Sequence, residues 1–227
     1  MPLATIADRV AHVRQRVERA AERAGRSFAE VTIVAVSKGF PPDAIEQAVA
    51  AAIAHLGENR VQEAAAKIPA LGGLPVIWHL LGHLQTNKAK TALELFDIIH
   101  SVDSLRLAEV LSHRAQSGSA QRPLPVLLEV NVSGEASKFG FPPAEIAAAT
   151  EAAARLPLLD LRGLMTVAPF VSDPEAVRPV FRELRRLRDA LGLRELSMGM
   201  TDDFEVAIEE GATLVRIGRA IFGERTP

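Results

Sequence analysis

The 227-residue chain carries 26 basic and 28 acidic side chains, a formal charge of −2, with 48% hydrophobic residues. Near-neutrality leaves no electrostatic footprint for DNA, RNA or an anionic membrane surface. The absence of cysteine excludes disulfides, thiolate metal ligands and a cysteine nucleophile, and tyrosine is absent as well.

Met1–Ala24 reads as an amphipathic helix rich in Arg and Glu, with Gly25 as its stop. It lacks the unbroken apolar core of a signal peptide. No stretch approaches the ~18 apolar residues of a membrane span, so a cytoplasmic location is expected. Short apolar runs then alternate with helical patterns. The predicted strands are Val31–Ser37, Ile53–Gly57, Val76–Leu81, Asp97–Val102, Pro125–Asn131, Leu161–Val167, Glu195–Met198 and Thr213–Ile217. Between them, Pro42–Ala52, Arg60–Ile68, Ser104–Gln116, Ala144–Arg155 and Pro174–Leu191 show apolar residues at three-to-four spacing. Ser117–Pro125 reads as a loop. Val31–Val36 and Val126–Val130 are apolar at nearly every position, as strands covered on both faces are. The expected architecture is α/β: one domain over residues 1–227, a (β/α)8 TIM-type barrel with the extra helix 1–24 packed on it. A doubly wound open sheet is the alternative.

Chemistry in such barrels collects at the C-terminal strand ends, and polar residues cluster there. Lys38 closes the most apolar run; it is either a partly desolvated amine suited to imine chemistry or a lysine that snorkels to solvent. Gly199, Thr201 and Gly218 follow the last two strands, where backbone amides and a hydroxyl suit either a phosphate site or ordinary turns. Arg216 lies inside the last strand and needs a partner, either a carboxylate such as Glu58 or a ligand atom. His79 and His83 have helical metal spacing but lie across a strand, so no metal site is expected. His83 reads as a satisfied structural histidine or a functional group at a strand end, and Lys138 as a solvated loop charge.

The stretches AVSK (Ala35–Lys38), GENRVQE (Gly57–Glu63), WHLLGHLQTNK (Trp78–Lys88), SVDS (Ser101–Ser104), LRGLMTV (Leu161–Val167), LSMGMTDDFEVAI (Leu196–Ile208) and VRIGRAIFG (Val215–Gly223) occur in this order. Together they resemble the pyridoxal phosphate homeostasis proteins, the YggS type. The resemblance implies a barrel like the N-terminal domain of alanine racemase, with pyridoxal 5′-phosphate as a Schiff base on Lys38. It implies the phosphate against Thr201 and the backbone amides of Gly218 and Arg219, with Ser197 and Asn59 nearby, and Arg216 against the pyridine nitrogen. Thr201 stands where the family commonly has serine, which keeps the hydroxyl. Arg219 replaces a small residue and puts any side-chain role there in doubt; its guanidinium is a possible aid to phosphate binding.

An arginine at the ring nitrogen disfavours the protonated ring by like-charge repulsion, unlike the carboxylate that makes the ring an electron sink. The racemases that this design resembles use a tyrosine base and a second β-domain. Tyrosine is absent here and no second domain is expected. The reading is therefore a monomeric vitamin B6-homeostasis protein, not an enzyme with robust turnover and with no catalytic residues assigned, that buffers the cofactor and hands it to apo-enzymes. Two alternatives stay open. One is a minimal amino-acid racemase with a base such as His83; the other is a Schiff-base aldolase or isomerase acting on a phosphorylated sugar.

Overall fold

The computed structural model describes residues 5–117 and 122–224. Four residues of the predicted Met1–Ala24 helix and residues 118–121 of the Ser117–Pro125 loop lie outside that set. The chain alternates β1 (Thr32–Val36), α2 (Pro42–Ala50), β2 (His55–Glu58), α3 (Val61–Lys67), β3 (Ile77–Leu80), α4 (Ala89–Leu95), β4 (Ile98–Val102) and α5 (Leu105–Ser117) after a first helix, α1 (Ile6–Arg23). It continues with β5 (Leu124–Glu129), α6 (Ile146–Ala154), β6 (Leu159–Met165), α7 (Arg178–Ala190), β7 (Glu195–Ser197), α8 (Phe204–Glu209), β8 (Leu214–Ile217) and α9 (Arg219–Phe222).

The eight strands close into a parallel barrel. Closure is made by β1 against β8, with Thr32 opposite Leu214 and Val34 opposite Arg216, and this rules out the open-sheet alternative. Alternate residues divide the apolar runs between two layers. Val34, Leu81, Ile98, Leu127, Met165 and Leu214 form a small cluster along the axis. The opposite parity, with Ala35, Leu56, Leu80, Ile99, Leu128 and Leu196, packs against the helices in the main core. Both faces are thus covered, which is why the strands read as nearly continuous apolar runs.

Helix α1 begins with a capping box between Thr5 and Asp8. Its buried stripe, Val10, Val13, Val17, Ala20 and Ala21, has the three-to-four spacing of one helical face. That face meets α2, α8 and α9, and Arg16 pairs with Glu205 across the contact at 3.0 Å. The predicted Pro174–Leu191 helix is divided: a 3-10 turn over Pro174–Val177 precedes α7. Pro179 explains the restart, since it lacks an N–H and sits comfortably only in a first turn. Helices α4, α8 and α9 have no counterpart among the expected ones; α8 and α9, with six and four residues, are too short to display a period.

Gly163 in β6 shows how tightly the wall is built. A Cβ there would stand 2.0 Å from the backbone oxygen of Glu195 in β7. Gly163→Ala is expected to cost about 3 kcal/mol, the upper range for overpacking, because the obstacle is backbone and cannot rotate away. Urea unfolding checks this, and a loss below about 0.5 kcal/mol would show that the β6–β7 wall opens easily.

Candidate functional site

The segment around Lys38 is held from both sides. Ser37, fully buried, donates its hydroxyl to Glu58 Oε1 at 2.7 Å. Lys67, on α3, reaches back to donate to the Ser37 carbonyl at 2.9 Å, to Glu58 Oε1 at 2.6 Å and to Glu63 Oε1 at 2.9 Å. The Gly39 amide donates to the same Glu63 oxygen at 2.5 Å. The residues before and after Lys38 are therefore pinned, while its half-buried side chain lines a cavity of about 540 Å³ with Asn59, Arg60, Gly82 and His83. Gly82 has to be glycine, since a Cβ would sit 2.3 Å from the Asn59 carbonyl oxygen.

Arg216 is buried inside the barrel. It donates from Nη1 to Ser197 Oγ and from Nη2 to the Thr166 carbonyl, each at 2.7 Å. Glu58 is not its partner: that carboxylate faces α3, on the opposite parity of β2, and is claimed by Lys67. Burial pulls the Arg216 guanidinium down to about 10, opposed by the charges of Asp203 and Glu129, so it remains a cation at neutral pH. Glu129, near the end of β5, is pushed up to about 7 chiefly by burial. No reading of the sequence singled it out; its inward parity beside Leu127 was the available signal.

The last two strand ends converge on β1. The Arg216 amide donates to the Gly199 carbonyl at 2.9 Å, and Gly199 takes φ +90 where a Cβ would strike Ala207. A Cβ on Gly218 would stand 3.3 Å from the Val36 carbonyl, so this residue lies beside the end of β1, two residues before Lys38. Thr201 is half-buried in the turn between them. Arg219 turns its guanidinium to Asp202, contacting Oδ1 and Oδ2 at 2.5 and 2.6 Å. Its charge is thereby matched by a carboxylate, which argues against a role for that side chain in phosphate binding.

His83, more than a third exposed, lies 2.6 Å from Asp103 through Nδ1 and stacks on Phe139 with centroids 3.8 Å apart. Lys138 is not the solvated charge expected from the sequence: it contacts Glu135 at 2.6 Å and donates to the Val167 carbonyl at 3.1 Å, tying its loop to the end of β6. No cluster of three or more metal-ligating His, Asp or Glu side chains occurs among the described residues. No helix among them is long and apolar enough to cross a membrane.

A closed parallel barrel with a lysine in the turn just beyond its first strand and a buried arginine in its last defines a class, and residues 9–226 match the alanine racemase N-terminal domain family. Alanine racemase of Clostridium difficile shares the fold at a TM-score of 0.70, with 15% identity over 92% of this chain and 55% of that one. Much nearer is the pyridoxal phosphate homeostasis protein of Pseudomonas aeruginosa, 47% identical over 98% of this chain and 97% of its own length. The protein of that name from Escherichia coli K12 is 44% identical, covering 97% of each chain. PipY of Synechococcus elongatus, solved with PLP bound, superposes at a TM-score of 0.84 with 38% identity over 96% of this chain and all of that one. The chain belongs to the pyridoxal phosphate homeostasis protein family.

Proposed function

We propose that this protein binds pyridoxal 5′-phosphate covalently through Lys38 and holds it for delivery within the cell's vitamin B6 pool, as a monomer and without sustained amino-acid turnover. The donor set fits that group: an amine for the aldehyde, an arginine for the ring nitrogen, and hydroxyls with glycine-rich backbone for the phosphate. When bound, the cofactor supplies an electron-withdrawing ring able to stabilise a carbanion, to the extent that its nitrogen is protonated.

Each residue's part follows from its surroundings. Lys38 is the nucleophile, on a segment pinned by Glu58, Lys67 and Glu63. Thr201, Gly218 and the Arg219 amide hold the phosphate, with Asn59 and Ser197 at its edge. Arg216 faces the ring nitrogen and keeps a proton off it. The observation that carries the reading is that last one. Arg216 is anchored by a hydroxyl and a carbonyl rather than a carboxylate, so its positive charge stays directed at whatever enters the barrel.

One feature supports a second reading. Asp103 holds His83 through Nδ1 beside the Lys38 cavity, which orients a base for a minimal racemase. The test joins both. Purified protein mixed with the cofactor is expected to gain a near-visible absorbance that borohydride removes, with negligible isomer exchange in chiral analysis of alanine and other amino acids. Exchange lost in a His83→Gln variant establishes the racemase. A borohydride adduct that forms only with a sugar phosphate sinks both readings in favour of an aldolase or isomerase.

A further inference from the structure

Three histidines in successive strands cross the barrel interior in one unbroken line. His55 Nδ1 lies 3.0 Å from His79 Nε2, His79 Nδ1 lies 2.8 Å from His100 Nε2, and His100 Nδ1 lies 2.8 Å from Ser197 Oγ. The Ser197 oxygen also accepts from Arg216 at 2.7 Å. His79, His100 and Ser197 have no solvent exposure. His55, at the start of β2, opens into a cavity of about 220 Å³ at the N-terminal end of the barrel, shared with Arg14 and Phe28. The column therefore runs from one end of the barrel to the residue that anchors Arg216 near the other.

Chemistry restricts how protons are arranged along it. A neutral imidazole has one N–H and one bare nitrogen, so each ring donates on one side and accepts on the other. Burial holds His79 down at about 3 and His100 well below the ordinary value, so both stay neutral. Two arrangements satisfy all three contacts. In the first, Ser197 donates to His100 Nδ1 and every ring carries its proton on Nε2. In the second, every ring carries it on Nδ1, His100 donates to Ser197, and the Ser197 hydroxyl proton must find another acceptor. The described residues offer none, and an unmatched buried donor costs about 1–3 kcal/mol. The first arrangement is the resting one.

We propose that His55, His79 and His100 are positioning residues that form a two-state relay, coupling the direction of the Ser197 hydroxyl to the protonation of His55 at the opposite end of the barrel. Switching from the first state to the second moves one proton per contact. Ser197 passes its proton to His100 Nδ1, His100 Nε2 to His79 Nδ1, and His79 Nε2 to His55 Nδ1. Water takes the His55 Nε2 proton at that end and returns one to the Ser197 oxygen, which is covered at rest, only through a transient opening of the mouth, so the proton count is unchanged. Each ring begins and ends neutral, and nothing is oxidised or reduced. A ligand oxygen that takes the Ser197 hydroxyl proton as a hydrogen bond favours the second state. A proton on His55 favours it too, because imidazolium donates from both nitrogens. Each therefore strengthens the other by the same factor. The ligand half of this coupling rests on the cofactor reading above; the tautomer column does not.

The charges facing the column are few. His55 is faced by His79 from β3 and shares its cavity with Arg14 from α1. His79 feels His55 and Arg162 of β6, and Arg162 is itself matched by Asp160 and Glu195. His100 feels His79, His55 and Arg216 of β8, with Glu129 and Asp203 acting on Arg216 from β5 and from the turn before α8. His55, half-buried and lowered only by burial, is the member of the column that titrates first.

Nitrogen-15 NMR of labelled imidazoles tests the relay in the unloaded protein. Near pH 8, His79 and His100 are expected as Nε2–H tautomers. As His55 gains its proton, both are expected to convert completely to Nδ1–H while staying neutral, at the same midpoint as His55. Retention of Nε2–H through that titration, or conversion at a different midpoint, overturns the proposal. In His55→Phe the titrating ring is gone, so the tautomer of His100, two contacts away, is expected to stay the same at every pH; a His100 that still converts at the wild-type midpoint overturns the relay. If that variant does not fold, the wild-type titration decides alone. Adding pyridoxal 5′-phosphate at pH 8 separates the two claims. A sample whose absorbance shows loading but whose rings stay Nε2–H overturns the ligand half of the coupling and leaves the cofactor reading standing. A sample that does not load removes the cofactor reading, and the pH titration still judges the relay.

Discussion

Lys38→Ala is expected to abolish borohydride-trapped pyridoxyl incorporation completely while moving the unfolding free energy by less than about 1 kcal/mol. The two halves of that result come from different places. The backbone around residue 38 is held by groups that the substitution leaves alone: the Ser37 hydroxyl on Glu58, the Ser37 carbonyl under Lys67 and the Gly39 amide on Glu63. Lys38 itself is half-buried at a strand end, and truncation there opens space into an existing cavity rather than creating a closed one. The chemistry has no substitute. The sequence holds five lysines; Lys67 is locked among three acceptors and Lys138 is tied to Glu135 and the end of β6. Lys88 lines a neighbouring cavity with Asn59, Arg60 and His83 rather than the one that Lys38 lines, and Lys90 stands in the first turn of α4. Peptide mass spectrometry after reduction is the measurement. A pyridoxyl increment persisting in Lys38→Ala, on any other lysine, would remove Lys38 from the site and with it the roles given to its neighbours.

What the sequence disclosed depended on how far each signal travels along the chain. Strands were legible because a barrel buries both faces, so runs such as Val126–Val130 announce themselves locally. Lys38, Arg216 and the glycines were legible as polar or conformationally permissive residues interrupting apolar strand ends, although their roles came from family resemblance. The histidine column is not legible in the sequence, although His55, His79 and His100 each share strand parity with a residue lining the axis: Gly57, Leu81 and Ile98. Joining them requires the inter-strand register, which offsets His79 from His55 by two residues, and register is not written in any one strand. The same holds for Lys67. It lies nine residues beyond Glu58, across a turn and one face of α3, so no periodic spacing marks the pair. Glu58 stands as one of two candidate partners for Arg216 for the same reason: both are strand residues of suitable charge, but their parities place them on opposite faces of the wall.

Lys67→Met is expected to destabilise the protein by about 3–5 kcal/mol at pH 8, the range for removing one partner of a buried ion pair. Glu58 has no solvent exposure. Its Oε2 has no hydrogen-bond partner, so Oε1 carries the whole load through Lys67 at 2.6 Å and Ser37 at 2.7 Å. Burial already raises this carboxyl above its ordinary value, and the Lys67 hydrogen bond is the largest influence opposing that rise. Without Lys67 the rise goes further, and protonation becomes the cheaper way to keep the group inside. The pH dependence follows in sign. A carboxyl whose folded value exceeds its unfolded one binds more protons when folded, so the stability it contributes is present below the unfolded value and disappears as pH climbs through the folded one. The defect in Lys67→Met is therefore smallest near pH 5 and grows towards pH 8. Adding Glu58→Gln removes the stranded charge, and the double variant is expected to recover more than half of the loss at pH 8 and to flatten its pH dependence. Because Lys67 also holds the Ser37 carbonyl, the single variant is expected to load cofactor more slowly at an intact Lys38. Urea unfolding at several pH values reads the first effect and the rate of absorbance gain reads the second. A single variant within 1 kcal/mol of the parent at pH 8 would mean that Glu58 is already neutral in the folded protein and that Lys67 braces the segment by hydrogen bonding alone.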